Sequence, residues 1–129
     1  IMQVCGKYSA PYILMHLQGT VEDHLSHNHY DHILKDLFIY FSKQIKSARN
    51  AGISDIILDP GFGFSKNLDQ NFFLLNNLAY FKNLNAPILV GLSRKSMLYK
   101  LLSISSEEAL HATQVAQYEA LVQVANILR

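Results

Sequence analysis

Four short apolar runs punctuate the chain: Tyr12–Met15, Ile56–Leu58, Ile88–Val90 and Asn126–Leu128. Runs this short, bounded by turn residues, predict buried strands. Pro11 and Pro87 stand in front of two of them, a position a strand tolerates. Between the runs the spacing changes to steps of three and four. Tyr30, Ile33, Leu34, Leu37, Phe38, Phe41, Ile45 and Ala48 form one stripe, which predicts a long amphipathic helix with Gly52 available to end it. Asn67 with Gln70 reads as a capping box, and Phe72, Leu75, Leu78 and Phe81 continue the stripe behind it. Ser105 with Glu108 reads as a second box, opening a helix whose Ala112, Ala116, Ala120 and Val124 make a small-residue face. A further short helical stretch is predicted over Met2–Tyr8.

The resulting order is β-α-β-α-β-α-β behind a short helix. Strand starts fall roughly 30 to 45 residues apart, the size of parallel βα units. The fold class is therefore α/β. Four such strands suit either a small open sheet or half of an eight-stranded barrel. The chain opens in a helix and closes on a strand with no helix to cover it, so it is expected to be one part of a longer protein.

Bulk properties narrow this further. The 129 residues make at most one domain, and an apolar half gives it a sizeable core. A net charge of +1 provides no broad basic field, so nucleic acid is not an expected partner. The longest apolar stretches are about five residues, against the roughly 20 needed to span a bilayer, so a membrane is not expected either. Cys5 is the single cysteine, which rules out an intrachain disulfide and fits a reducing, cytoplasmic setting. No secretory leader pattern is visible in these residues.

Candidate chemistry sits where strands end. Asp59-Pro60-Gly61-Phe62-Gly63-Phe64 follows the second run, and Gly91-Leu92-Ser93-Arg94-Lys95-Ser96 follows the third. In parallel α/β folds the C-terminal ends of strands bind ligands. Asp59 reads equally as a carboxylate for the N–H groups of a polar heterocycle or as a turn cap. Gly61 and Gly63 permit close backbone approach or simply a tight turn. Of Phe62 and Phe64, one is expected in the core and one toward a ligand. The hydroxyl and two cations of Ser93–Lys95 suit an anion or a polar ring, but also a solvated basic turn. Arg129 ends the last run on the same predicted rim, where it suits a phosphate or an ordinary surface position. Met15 suits a wall against a planar ring or plain core, and His16 a buried, hydrogen-bonded histidine.

His27-Asn28-His29-Tyr30-Asp31-His32 matches the H-x-H-x-D-H pattern of zinc hydrolases, with His24 nearby. The preceding residues are polar and not strand-like, and Tyr30 fits the helical stripe. A polar loop leading into a helix accounts for the string as well. The zinc-hydrolase alternative would use His27, His29, Asp31 and His32.

Three of these segments together resemble the dihydropteroate synthases: Met15-His16-Leu17-Gln18-Gly19-Thr20, Ile57–Phe64 and Leu89–Ser96. Asn126–Arg129 is similar to the start of that family's final-strand motif, and Tyr30-Asp31 falls where the family has the same pair. The resemblance covers the whole chain in the right order. It implies a TIM barrel, with residues 1–129 as strands 5 to 8 of a partial pterin-binding domain that lacks the N-terminal half and the last helix. The implied reaction joins p-aminobenzoate to hydroxymethyl-dihydropterin diphosphate, releasing diphosphate. Met15, Asp59, Phe64, Gly91, Lys95 and Arg129 would then bind the pterin substrate, with Lys95 and Arg129 as the catalytic cations. Gly63, Phe64 and Ser93 would face p-aminobenzoate. The resemblance further implies Mg²⁺ held from the missing half, a homodimer when complete, and no activity for this segment alone. A pterin-dependent methyltransferase domain and a non-catalytic pterin-binding domain are the neighbouring readings.

Overall fold

Each apolar run becomes a parallel strand in a computed structural model, which describes residues 1–20, 22, 23, 26 and 28–129. Strand β1 is Tyr12–Met15, β2 is Ile56–Asp59, β3 is Leu89–Val90 and β4 is Ile127–Leu128. β1 pairs with β2 from Tyr12 opposite Ile56 to Met15 opposite Asp59. β3 pairs with β4, Leu89 opposite Ile127. A parallel bridge between Leu58 and Ile88 joins the two pairs, so the spatial order follows the chain. The sequence places Asn126 inside the last strand; in the fold it precedes β4 and its side-chain oxygen accepts the Ile88 amide at 2.9 Å.

Helices cover the strands. Helix α1 spans Met2–Lys7, and α2 spans Ile33–Asn50 with Ile33, Leu34, Leu37, Phe41 and Ala48 buried. Phe41 meets Phe81 edge-on at 5.9 Å, in a core that also holds Leu14, Leu58 and Val90. The predicted stripe begins at Tyr30, but α2 starts at Ile33. Tyr30 lies before it and sends its hydroxyl across to the Ser65 carbonyl at 2.8 Å. Helix α3, Leu68–Leu75, opens on the complete Asn67–Gln70 capping box. The stripe then passes into a 3₁₀ helix, Leu78–Leu84. The break falls at Asn76-Asn77, where the Asn77 side chain donates to the Phe73 carbonyl at 2.7 Å and competes with the helical ladder.

The last crossover holds two helices, α4 (Ser96–Leu102) and α5 (Leu110–Gln123). The Ser105–Glu108 box forms, with the Ser105 amide on Glu108 Oε2 at 2.9 Å. It opens a turn, and regular helix begins only at Leu110. On α5, Ala116 and Ala120 are buried as the small-residue face predicts. Val115, Tyr118, Leu121 and Val122 are exposed. No helix among the described residues is long and apolar enough to cross a membrane.

Candidate functional site

The C-terminal ends of β1, β2 and β3, and Arg129 after β4, meet at one mouth. Parallel pairing in register makes this happen: Met15 stands opposite Asp59, and the Arg129 amide donates to the Val90 carbonyl at 3.0 Å. The strand ends are therefore level, and the side chains that follow them share one rim.

Asp59 is buried at this rim and splits its carboxylate between two tasks. Oδ1 accepts the Gly61 amide at 2.8 Å, which makes it the cap of its own turn. Oδ2 faces Arg129, whose Nη2 lies 4.0 Å away. The capping and ligand readings of Asp59 are thus compatible, one on each oxygen. The Arg129 side chain is largely exposed and lies over Gly91, where an added Cβ would stand 3.0 Å from Nη2. Lys95 is the N-cap of α4, just ahead of the first helical turn in which a cation would oppose the helix dipole. Its stem crosses Gly63, where an added Cβ would lie 3.4 Å from Cδ. Its ammonium sits 4.6 Å above the Phe64 ring, a cation–π contact. Burial lowers the Lys95 pKa, the Arg129 charge lowers it further, and Asp59 opposes both. One carboxylate and two cations thus act on each other across the mouth.

The two phenylalanines divide between core and rim. Phe62 is fully buried, and Phe64 is half-buried at the rim. Met15 is half-buried beside Asp59, and Gly91 is buried. Ser93 is exposed on the turn into α4. His16 is buried, as read from the sequence, with its ring edge-on to Tyr40 at 4.8 Å. Burial, with the nearby Lys66 charge, lowers its pKa to about 3, so it is neutral across the ordinary pH range.

Four residues that the sequence reading did not single out for chemistry hold the second loop in place. Ser65 Oγ accepts the Gln18 amide at 2.9 Å and donates to the Gln18 carbonyl at 2.8 Å. Asn71 Oδ1 accepts the Gly63 amide at 2.9 Å. Tyr30 holds Ser65 from the other side. Lys66 is buried under the loop. The capping box fixes Lys66 as the last residue before the N-cap of α3, but nothing local in the sequence marks its side chain as buried.

Among the described residues the zinc-like string does not assemble. His29, Asp31 and His32 are exposed, and the His32 amide donates to Asp36 at the start of α2. His24 and His27 lie outside the described residues. Among the described residues no three histidine, cysteine or carboxylate side chains lie together as metal ligands do. An apolar groove of 540 Å³ runs between α3, α4 and α5, lined by Phe72, Leu98, Leu101 and Val115 among others. It contains none of the converging polar side chains, and chemistry favours the mouth over it.

Comparison with known proteins identifies the family. The family model described as "Pterin binding enzyme" matches residues 1–129. Dihydropteroate synthase of Escherichia coli (strain K12) is 38% identical over 130 aligned residues, covering 99% of this chain and 46% of the relative. A crystal structure of Yersinia pestis dihydropteroate synthase with a sulfonamide drug complex superposes with a TM-score of 0.96 at 35% identity, over 99% of this chain and 47% of that one. The Thermus thermophilus enzyme in complex with 4-aminobenzoate gives 0.94 at 28% identity, over 99% and 53%. The chain spans about half the length of the relatives it matches. Similarity this even along the sequence, on a backbone of the same shape, exceeds what short shared motifs produce: the chain belongs to the family of pterin binding enzymes.

Proposed function

We propose that this chain carries the pterin and p-aminobenzoate side of a dihydropteroate synthase. The gathering of Asp59, Lys95 and Arg129 at one mouth carries the reading. A reduced pterin presents ring N–H donors, and the buried Asp59 carboxylate supplies the matching acceptor. Met15 and Gly91 wall the flat ring, with Phe64 beside it. Lys95 and Arg129 take the diphosphate, whose negative charge grows as it leaves. Gly63, Phe64 and exposed Ser93 face p-aminobenzoate.

The reaction asks for little acid–base machinery. The bond from the exocyclic carbon to the diphosphate oxygen breaks, and the pterin ring supports the positive charge left on that carbon. The p-aminobenzoate nitrogen forms the new bond and loses a proton. Cations that stabilise the leaving group, and walls that place the amine in line, supply the catalysis. Asp59 orients and does not attack.

The proposal extends to the whole protein. Residues 1–129 are read as strands 5 to 8 of a TIM barrel, by their similarity to the longer synthases. The segment alone is expected to be inactive, because the remaining pterin contacts belong to the other half. Mg²⁺ belongs to the same reading. Its protein ligand is assigned to the part of the relatives that this chain does not span. A cytoplasmic homodimer completes the proposal, and the exposed apolar side chains of α5 are consistent with a second copy.

The test uses the complete protein. It should form dihydropteroate from p-aminobenzoate and the pterin diphosphate. Asp59→Ala should weaken pterin binding at least about tenfold by calorimetry, the loss expected for a buried charged acceptor. Unchanged affinity would refute the role given to Asp59.

A further inference from the structure

Lys66 is buried to 6% exposure, within reach of the Asp59 charge. Its Nζ lies 2.9 Å from the Phe64 carbonyl, 3.1 Å from the Gly61 carbonyl and 3.2 Å from His16 Nδ1. An ammonium has three N–H donors, and here each has an acceptor. His16 is uncharged, and against an ammonium its Nδ1 is the acceptor, which leaves the ring proton to Nε2. Burying a cation costs free energy unless such partners are in place. A side chain this long reaches solvent easily from most loops, so its inward course needs a reason.

The reason lies in what the three acceptors hold. Gly61 and Phe64 are the two ends of one turn, closed by the Phe64 amide on the Gly61 carbonyl at 3.1 Å. That turn carries Gly63 and Phe64, the residues under Lys95. Gly61 and Gly63 take φ of 71° and 79°, which glycine adopts freely, but the turn leads directly into Ser65 at φ 53°. Ser65 has a side chain, so its left-handed backbone costs about 1–2 kcal/mol. Conformations like this persist only where surroundings over-determine them. Lys66 supplies that constraint from below, and it ties the turn to the end of β1 through His16.

We propose that Lys66 is a positioning residue: its ammonium clamps the Gly61 and Phe64 carbonyls against His16 and thereby sets the height of the Gly63–Phe64 floor beneath p-aminobenzoate. The inference rests on the proposed function of the mouth for its substrate, while the clamp itself rests on geometry alone. Asp59 has its own hold on the turn through the Gly61 amide, so loss of the clamp moves the Phe64 end more than the pterin end.

The experiment compares Lys66→Met with the unaltered complete protein, since methionine fills the space and removes all three contacts. The KM for p-aminobenzoate should rise about tenfold, a modest penalty for a displaced contact surface. The Kd of the pterin diphosphate should change less than about threefold. A merely structural lysine would instead reduce kcat with the folded fraction and leave KM alone, and that result overturns the proposal. Should Lys66→Met not fold, His16→Phe keeps a ring against Tyr40 and removes the Nδ1 contact. A raised p-aminobenzoate KM then supports the clamp, and an unchanged one overturns it. If the unaltered protein forms no dihydropteroate, the reading of the mouth has failed. Hydrogen exchange then judges the clamp separately, since the Phe64 amide should exchange faster in the variant, and equal rates refute it.

Discussion

At the scale of single residues, two glycines in the same mouth have opposite assignments. Gly61 has φ of 71°, and a Cβ there would collide with the His16 carbonyl oxygen. Backbone cannot step aside as a side chain can. Gly61→Ala should therefore cost more than about 2 kcal/mol of stability, read from the denaturant midpoint. At Gly91 the crowding atom is the tip of the Arg129 side chain, which is free to swing. Gly91→Ala should leave stability within about 0.5 kcal/mol and raise the KM for the pterin diphosphate several-fold. Equal effects of both substitutions on stability would contradict this division. Sequence alone offers both readings for Gly61 and leaves Gly91 to the resemblance, because a turn glycine and a glycine shaving space for a neighbour look the same in the chain.

Individual elements repeat that lesson in a different form. The Asn67–Gln70 box is legible from residue types, since only short-range contacts form it: the Gln70 amide on Asn67 Oδ1 and the Asn67 amide on Gln70 Oε1, both at 2.8 Å. Asn67→Ala should remove about 1 kcal/mol, measurable by chemical denaturation, and fray the start of α3. The Ser105–Glu108 box has the same chemistry, yet regular helix waits until Leu110, so a correct cap does not fix where the following helix begins. Tyr30 shows why. Its apolar ring fits the α2 stripe by spacing, but its hydroxyl has a carbonyl to reach at Ser65, thirty-five positions on. Local pattern carries no information about a partner that distant. Burial of that ring, with Asp36 nearby, also raises the Tyr30 pKa, which keeps the hydroxyl a donor.

For the whole molecule, the buried pair of His16 and Lys66 links stability to pH. Burial lowers His16 from 6.5 to about 3. Between those values the unfolded chain takes up a proton that the folded one refuses, so stability falls as pH falls from about 6.5 toward 3. Burial likewise lowers Lys66 from 10.5 to about 7, and Asp59 only partly offsets it. The same sign applies: stability present above pH 10.5 declines as pH falls toward 7. Denaturant midpoints of the complete protein should therefore rise with pH through both windows. Lys66→Met should flatten the upper slope and His16→Phe the lower one. Slopes that survive both substitutions would assign the linkage to other groups.

The alternation of apolar runs and three-four stripes, together with the Pro, Gly and capping residues between them, determined the α/β class, the order of the elements and the strand-end loops that carry the chemistry. These features depend on neighbours within a few positions, and such neighbours are written in the chain. How Asp59 meets Arg129, how Arg129 lies over Gly91, and how Lys66 meets His16 were decided only in three dimensions. Each depends on parallel strands settling into one register, and that register brings together residues whose separation along the chain leaves no local trace.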